Sequence, residues 1–172
     1  MLARLEGRRL VATLLLLKNL LFTVLVPGTV AVFVPLYYFS HADFGTPARS
    51  VSAGMLLFLG AAIYAWCLWD FAITGGGTPA PIDPPKTLVV RGLYRYTRNP
   101  MYVGVLTVIG GWALLFGSTD LAIYGLCVAT VFHLFVVLHE EPHLRAVFGA
   151  SYEQYCSEVG RWLPLGRTRP AA

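Results

Sequence analysis

Residues 91–104, RGLYRYTRNPMYVG, bring together three arginines, three tyrosines and one asparagine, and a pair of adjacent acids, Glu140-Glu141, follows after a long apolar interval. Arg91, Arg95 and Arg98 offer rigid forks of N–H donors. Tyr94, Tyr96 and Tyr102 offer flat faces with hydroxyls, and Asn99 is both donor and acceptor. The chemistry open to such a set is the grip of a polar ligand. Asn99-Pro100 also reads as a helix start, with Asn at the N-cap and Pro in the first turn, where its missing N–H does no harm. The free N–H groups and partial positive charge of such a start can hold a carboxylate or phosphate. Equally, the segment reads as an ordinary capped helix whose arginines snorkel onto anionic lipid.

The acids point the same way. Glu140 and Glu141 come directly after His139 at the end of an apolar run. A helix C-terminus is an unfavourable place for negative charge, so the pair calls for arginines or a cationic ligand. His133, Val136, Val137 and Glu140 share one helical face, which would line a track from membrane depth to the surface. An ionisable side chain within a span, such as His133, is a functional-site hypothesis in its own right. The plain alternative is a histidine bonded to a neighbouring carbonyl. His133 and His139 are the candidate proton acceptors. Cys67, Cys127 and Cys156 are scattered and read as small apolar filler, with no disulfide framework and no metal-ligand spacing. Neither a GxSxG elbow, a GxGxxG turn nor a phosphate-binding loop occurs, which leaves hydride and phosphoryl chemistry without their usual motifs.

The elements that position these residues are apolar runs. The chain has 172 residues, 56% hydrophobic and 13% charged, against about 25% charged in soluble domains. It reads as an all-α integral membrane bundle of about four spans. A crossing takes about 20 apolar residues, and the runs 51–69, 101–119 and 121–138 fit one each. The run 10–39 is too long for one straight helix. Lys18-Asn19 interrupt it and Pro27 and Pro35 bend it, so a tilt, an interfacial start or a kink is expected. No small-residue cleavage site follows the short stretch before Lys18, which argues against a signal peptide. The expected layout is a single membrane-embedded domain over 1–172. It holds two spans in 1–73, a Gly/Pro-rich connector in 74–100, a helical hairpin in 101–139 and a C-terminal segment in 140–172. In that last segment Phe148, Tyr152 and Tyr155 recur at helical spacing and predict a short amphipathic helix, on the membrane face or folded back over the loop.

Lys and Arg cluster before the first run, between the second and third, and after the fourth, whereas the other connections hold only Arg49. The positive-inside rule then places both termini and the 75–98 loop in the cytoplasm. Attraction to anionic lipid accounts for the net charge of +4 without any nucleic-acid partner. Gly104, Gly110 and Gly111 in the third run suit close helix packing; the alternative for Gly104 is clearance for a bound molecule.

KTLVVRGLYRYTRNPMYVG, followed across one hairpin by HEEPHLRAVFGASYEQYCSEVGRWLP, resembles the isoprenylcysteine carboxyl methyltransferase family over about residues 80–164. Phospholipid N-methyltransferases share that family's C-terminal architecture. The resemblance implies S-adenosylmethionine bound in a cytosol-facing pocket built from the C-terminal half. The family's binding positions fall on Lys86, Thr87, Leu88, Val89, Tyr94, Asn99, Pro100, Met101, Tyr102 and Glu140, with Glu141 beside it. Arg98 and its neighbours suit the methionyl carboxylate, a glutamate the ammonium or ribose hydroxyls, and tyrosine faces the sulfonium and adenine. The sequence departs from the family's characterised eukaryotic members twice. Asn99 stands where they have histidine, and LFVVLHEE lacks their arginine shortly before the acids. The implied reaction is methyl transfer to a lipophilic or amphiphilic acceptor, entering from the bilayer near Tyr102, His133 and Val137. The alternatives are a phospholipid amine, a small thiol or other small molecule as acceptor, and a membrane protein without catalysis.

Overall fold

The computed structural model describes Leu17 and residues 20–39, 46–71 and 87–164. The N-terminal charge cluster, the Gly/Pro-rich first part of the connector (74–85) and Lys86 lie outside the described residues. Among those described, regular structure is helical throughout, with no strand.

Helix α1 occupies Leu20–Tyr37 and is wound as a π-helix over Val24–Phe33 before tightening to α-helix over Val34–Phe39. Its prolines make sense of that winding. A proline donates no hydrogen bond, and its ring crowds the carbonyl four residues back. The wider winding removes the crowding, and Val34 N–H reaches back to the Thr29 carbonyl. Pro35 has no N–H for the carbonyl it would reach in the preceding turn, Val30 in π-winding or Ala31 in α-winding. Tyr124 donates its hydroxyl to the first at 2.8 Å, and Trp112 donates its indole N–H to the second at 2.9 Å. In a bilayer no water could do this. The proline defect therefore becomes the attachment of α1 to the hairpin.

Helix α2 spans Pro47–Asp70, started by Thr46, whose hydroxyl accepts from Arg49 N–H. Helix α3 spans Pro100–Phe116. The two press together at glycines. A Cβ on Gly60 would stand 2.6 Å from the Gly104 carbonyl oxygen, and one on Gly104 would stand 2.9 Å from the Gly60 oxygen. Gly111 is in similar contact with Leu57. Gly104 thus serves packing, and the idea that it clears room for a ligand falls away.

Gly117 ends α3 in the left-handed region, and Ser118 N–H returns to the Ala113 carbonyl, a Schellman closure. Ser118 then caps α4, Thr119–Phe135. The guanidinium of Arg49 lies against Gly117. The start of α2 and the α3–α4 turn therefore share one side, as consecutive crossings require.

The fourth run does not stop at the acids. It passes through a π-helical turn, Val136–Glu140, into α5, Glu141–Phe148, so that Thr119–Phe148 is one continuous 30-residue helix. Pro142 supplies the cause: it cannot bond to Leu138, and the chain absorbs the lost bond as a bulge instead of a break. Glu140 and Glu141 are therefore mid-helix, and the expected strain of a C-terminus does not arise. Gly149, at positive φ, separates α5 from α6, Ala150–Glu158. Tyr152 and Tyr155 bury one face of α6 as their spacing predicted, while Phe148 belongs to α5. Of the two placements expected for this helix, folding back is the one seen: Tyr155 donates its hydroxyl to the Tyr94 carbonyl at 2.7 Å.

Three helices, Leu20–Tyr37, Pro47–Asp70 and Thr119–Phe148, are long and apolar enough to cross a membrane. The remaining apolar helix, α3, has 17 residues, about 26 Å at 1.5 Å per residue. It is shorter than the 101–119 run because Pro100 and Gly117 fix its ends.

Candidate functional site

A cavity of about 520 Å³ lies between α1, α3, α4–α5 and α6, within the size range of small-molecule sites. Its walls differ in character. Phe22, Val26 and Val30 of α1, with Val105, Phe132 and Val136, make an apolar side. Tyr94, Arg98, Asn99, Tyr102, Glu140 and Tyr155 make a polar one.

The polar wall begins with a short 3-10 turn, Gly92–Arg95, that buries Tyr94 against Cys67 and Val89. Phe71 meets the Tyr94 ring edge-on, with centroids 5.5 Å apart. Burial pushes the Tyr94 phenol well above its ordinary range. It therefore stays neutral, offering a face and a hydroxyl and no base. Asn99 does stand at the N-cap position of α3, yet its side chain makes no capping bond. It donates its amide N–H to the Arg161 carbonyl at 3.0 Å instead. The same carbonyl accepts the Thr97 hydroxyl at 3.0 Å, and Arg98 N–H donates to the Gly160 carbonyl at 2.9 Å. Residues 159–161 thus form a strap that holds the loop 94–99 from outside.

The adjacent acids have separate partners. Glu140 accepts the Tyr102 hydroxyl at 2.5 Å on the cavity wall. Glu141 is only 3% exposed and is held by three arginines. Arg161 donates from Nε at 2.6 Å and from Nη2 at 2.9 Å, while Arg98 and Arg145 approach to 3.3 and 3.5 Å. Of the arginines expected to face an anionic ligand, Arg98 is engaged here with a buried carboxylate and Arg91 lies 3.8 Å from Asp70.

Of the residues singled out by sequence, Leu88, Val89, Tyr94, Arg98, Asn99, Met101, Tyr102, His139, Glu140 and Glu141 line the cavity. Thr87 and Pro100 do not; Pro100 is buried as the first residue of α3, and Lys86 falls outside the described residues. His133 is turned away from the cavity, where its Nδ1 accepts the Trp162 indole N–H at 3.1 Å. Trp162 also meets the Tyr102 ring, centroids 6.4 Å apart. The gap near Tyr102 and His133, expected to admit an acceptor, is therefore filled by that indole. Val137, one residue past the cavity-facing Val136, is likewise off the cavity. Sequence reasoning missed His143, which shares the cavity wall with His139; its spacing of four from His139 was the available signal. It also missed the α1 wall. Among the described residues no group of three His, Cys, Asp or Glu side chains is arranged to hold a metal.

Comparison with known proteins adds the family. Two curated relatives match. One is a phosphatidylethanolamine N-methyltransferase of Eremothecium gossypii, 34% identical over 109 residues, covering 61% of this chain and 12% of the relative. The other is a protein-S-isoprenylcysteine O-methyltransferase of Schizosaccharomyces pombe, 36% identical over 78 residues, covering 45% of this chain and 33% of the relative. The chain thus aligns with a third or less of each relative's length. The two relatives represent both groups that the motifs resemble. The profile of the phospholipid methyltransferase family matches residues 48–151, well over half of the sequence, from the start of α2 to the start of α6: the chain belongs to that family.

Proposed function

We propose that this protein is an integral-membrane methyltransferase that uses S-adenosylmethionine to methylate a lipophilic or amphiphilic acceptor. The observation that carries the reading is the mixed lining of the cavity, in which tyrosines, an asparagine and a carboxylate join apolar side chains of α1 and α4. The residues present fit the donor. Asn99 is buried, with its amide N–H fixed on the Arg161 carbonyl. Glu140 and Tyr102 suit an ammonium or ribose hydroxyls, and Tyr94 offers an aromatic face to adenine or a sulfonium. When bound, S-adenosylmethionine supplies a methyl group already activated for transfer. The work left to the protein is alignment and exclusion of water. The aromatic and apolar lining and the strap over loop 94–99 suit that work.

The acceptor's apolar part is best placed against Phe22, Val26 and Val30, reached between α1 and α4, since Trp162 fills the gap near His133. The cavity opens to the cytoplasm in this reading, on the charge asymmetry of the connections. A phospholipid amine is the favoured acceptor class over an isoprenylcysteine carboxylate. Arg98, which lines the cavity, is bound with Arg145 and Arg161 to Glu141, so it is not free to hold an acceptor carboxylate.

Titration of the detergent-purified protein with S-adenosylhomocysteine tests the proposal. Saturation at about 100 times the dissociation constant stabilises by about 2.7 kcal/mol, visible as a raised Tm. Labelled methyl groups from S-adenosylmethionine should then enter the lipid fraction of a membrane extract. A melting curve indifferent to the ligand, together with no labelled lipid, leaves the rival reading of a non-catalytic membrane protein.

A further inference from the structure

We propose that His139 and His143 form a subsite for the anionic group of an amphiphilic ligand, and so help to select the acceptor. The proposal rests on the methyltransferase reading for its purpose, and on three observations for its substance. First, both residues line the cavity while remaining open to its outside. Second, they are its cation-capable groups that no carboxylate holds among the described residues, since the third such group, Arg98, is engaged with Glu141. Third, they frame Glu140 on one rigid rod. Positions four apart share a helix face, and the π-helical turn at Val136–Glu140, forced by Pro142, delivers His139, Glu140 and His143 together to the same cavity. His139 is steadied by stacking on Phe135, centroids 5.5 Å apart and planes within 14°.

Imidazole donates an N–H whether neutral or protonated, so the pair can bind phosphate or carboxylate oxygens. Glu140 and Tyr102 beside it are the groups assigned to the methyl donor, and the apolar side chains of α1 are left for the tail of the anionic ligand. Neither histidine is among the positions that the family resemblance assigns to the cofactor.

The test uses the full-length protein in dodecyl maltoside, with dodecyl phosphate and dodecanoate as probes and the uncharged detergent as the baseline. His139→Phe keeps the ring stack and removes the donors; His143→Leu removes the second set. Calorimetric affinity for at least one probe should fall about tenfold or more in the double variant, the size expected when a hydrogen bond to a charged partner is lost. Affinity for S-adenosylhomocysteine should stay at the wild-type value, which also reports that the variant is folded. His143→Gln, which keeps an N–H donor, should recover part of the loss. Preference for dodecyl phosphate identifies a phosphate head, and preference for dodecanoate a carboxylate. Equal affinity of the double variant and the wild type for both probes overturns the proposal, and so does a loss confined to S-adenosylhomocysteine. A wild-type protein that binds the anionic probe but no S-adenosylhomocysteine refutes the methyltransferase reading alone.

Discussion

Replacing Glu141 by glutamine should destabilise the fold and leave cofactor affinity unchanged. The carboxylate is 3% exposed and faces Arg161 through both oxygens, with Arg98 and Arg145 at 3.3 and 3.5 Å. Glutamine keeps one acceptor and turns an NH₂ toward a guanidinium, so at least one charge-assisted bond becomes a donor facing a donor. Removing one partner of a buried ion pair costs about 3–5 kcal/mol. Two of the arginines relieve part of that, because Arg145 and Arg161 are 44% and 33% exposed and can turn to water. Arg98, at 11%, has no such escape, and its Nε is already buried without a partner among the described residues. The lower end, about 3 kcal/mol, is therefore expected, or about 6–12 °C in Tm for a chain of this length. Differential scanning fluorimetry in detergent reads the shift. Calorimetry at low temperature, where the variant is still folded, should return wild-type affinity for S-adenosylhomocysteine. A variant that melts with the wild type but has lost that affinity refutes the assignment and makes Glu141 a ligand-binding group.

The neighbouring acid should behave in the opposite sense: Glu140→Gln should lower S-adenosylhomocysteine affinity at least tenfold with little change in Tm, read by the same two measurements. Gly104→Ala should cost about 1–3 kcal/mol by overpacking, because its Cβ would meet the Gly60 oxygen at 2.9 Å and Tyr64 N at 3.1 Å. Gly110→Ala, with nothing within 4 Å, should be neutral or stabilise, and equal melting of the two alanine variants would defeat the packing argument. Trp112→Phe leaves the Ala31 carbonyl without its donor, a loss of about 1–3 kcal/mol. Adding Pro35→Ala, which restores a backbone N–H, should recover part of that loss in the same thermal assay; no recovery would show that the proline is not what the indole compensates.

Much of this arrangement was legible because its causes are local. Apolar runs, with Asn99-Pro100 as a helix start and a hairpin over 101–139, predict helices and their turn, and the structure has them, although the second helix begins at Pro47, four residues before the run 51–69. The spacing of Tyr152 and Tyr155 likewise predicts the buried face of α6. What escaped is long-range or geometric. Proline usually ends a helix, yet Pro142 is absorbed by a π-helical turn, and the acids shift from a terminus to mid-helix. Adjacent residues on a helix point about 100° apart, so Glu140 and Glu141 face different partners despite reading as one motif. The partners of His133 and Asn99 come from Trp162 and Arg161, separated from them by 29 and 62 residues. No periodicity reports such pairs.

The division of the cavity between shared and unshared parts of the chain carries a consequence for specificity. Tyr94, Asn99, Tyr102 and Glu140 all fall within residues 48–151, the stretch matched by the family profile. Helix α1 lies before it, although Phe22, Val26 and Val30 supply much of the apolar wall. Most of the polar lining therefore comes from the matched stretch, with Tyr155 beyond it, while the apolar lining is shared between that stretch (Val105, Phe132, Val136) and a helix outside the match. That helix is held in place by two bonds, from Trp112 and Tyr124 to carbonyls in the turn before Pro35. Both donors belong to the shared hairpin. Under the proposed reaction, substitutions of the cavity-facing side chains of α1 are the ones expected to change acceptor preference without touching Tyr94, Asn99, Tyr102 or Glu140, so long as Pro35, Trp112 and Tyr124 keep the helix seated.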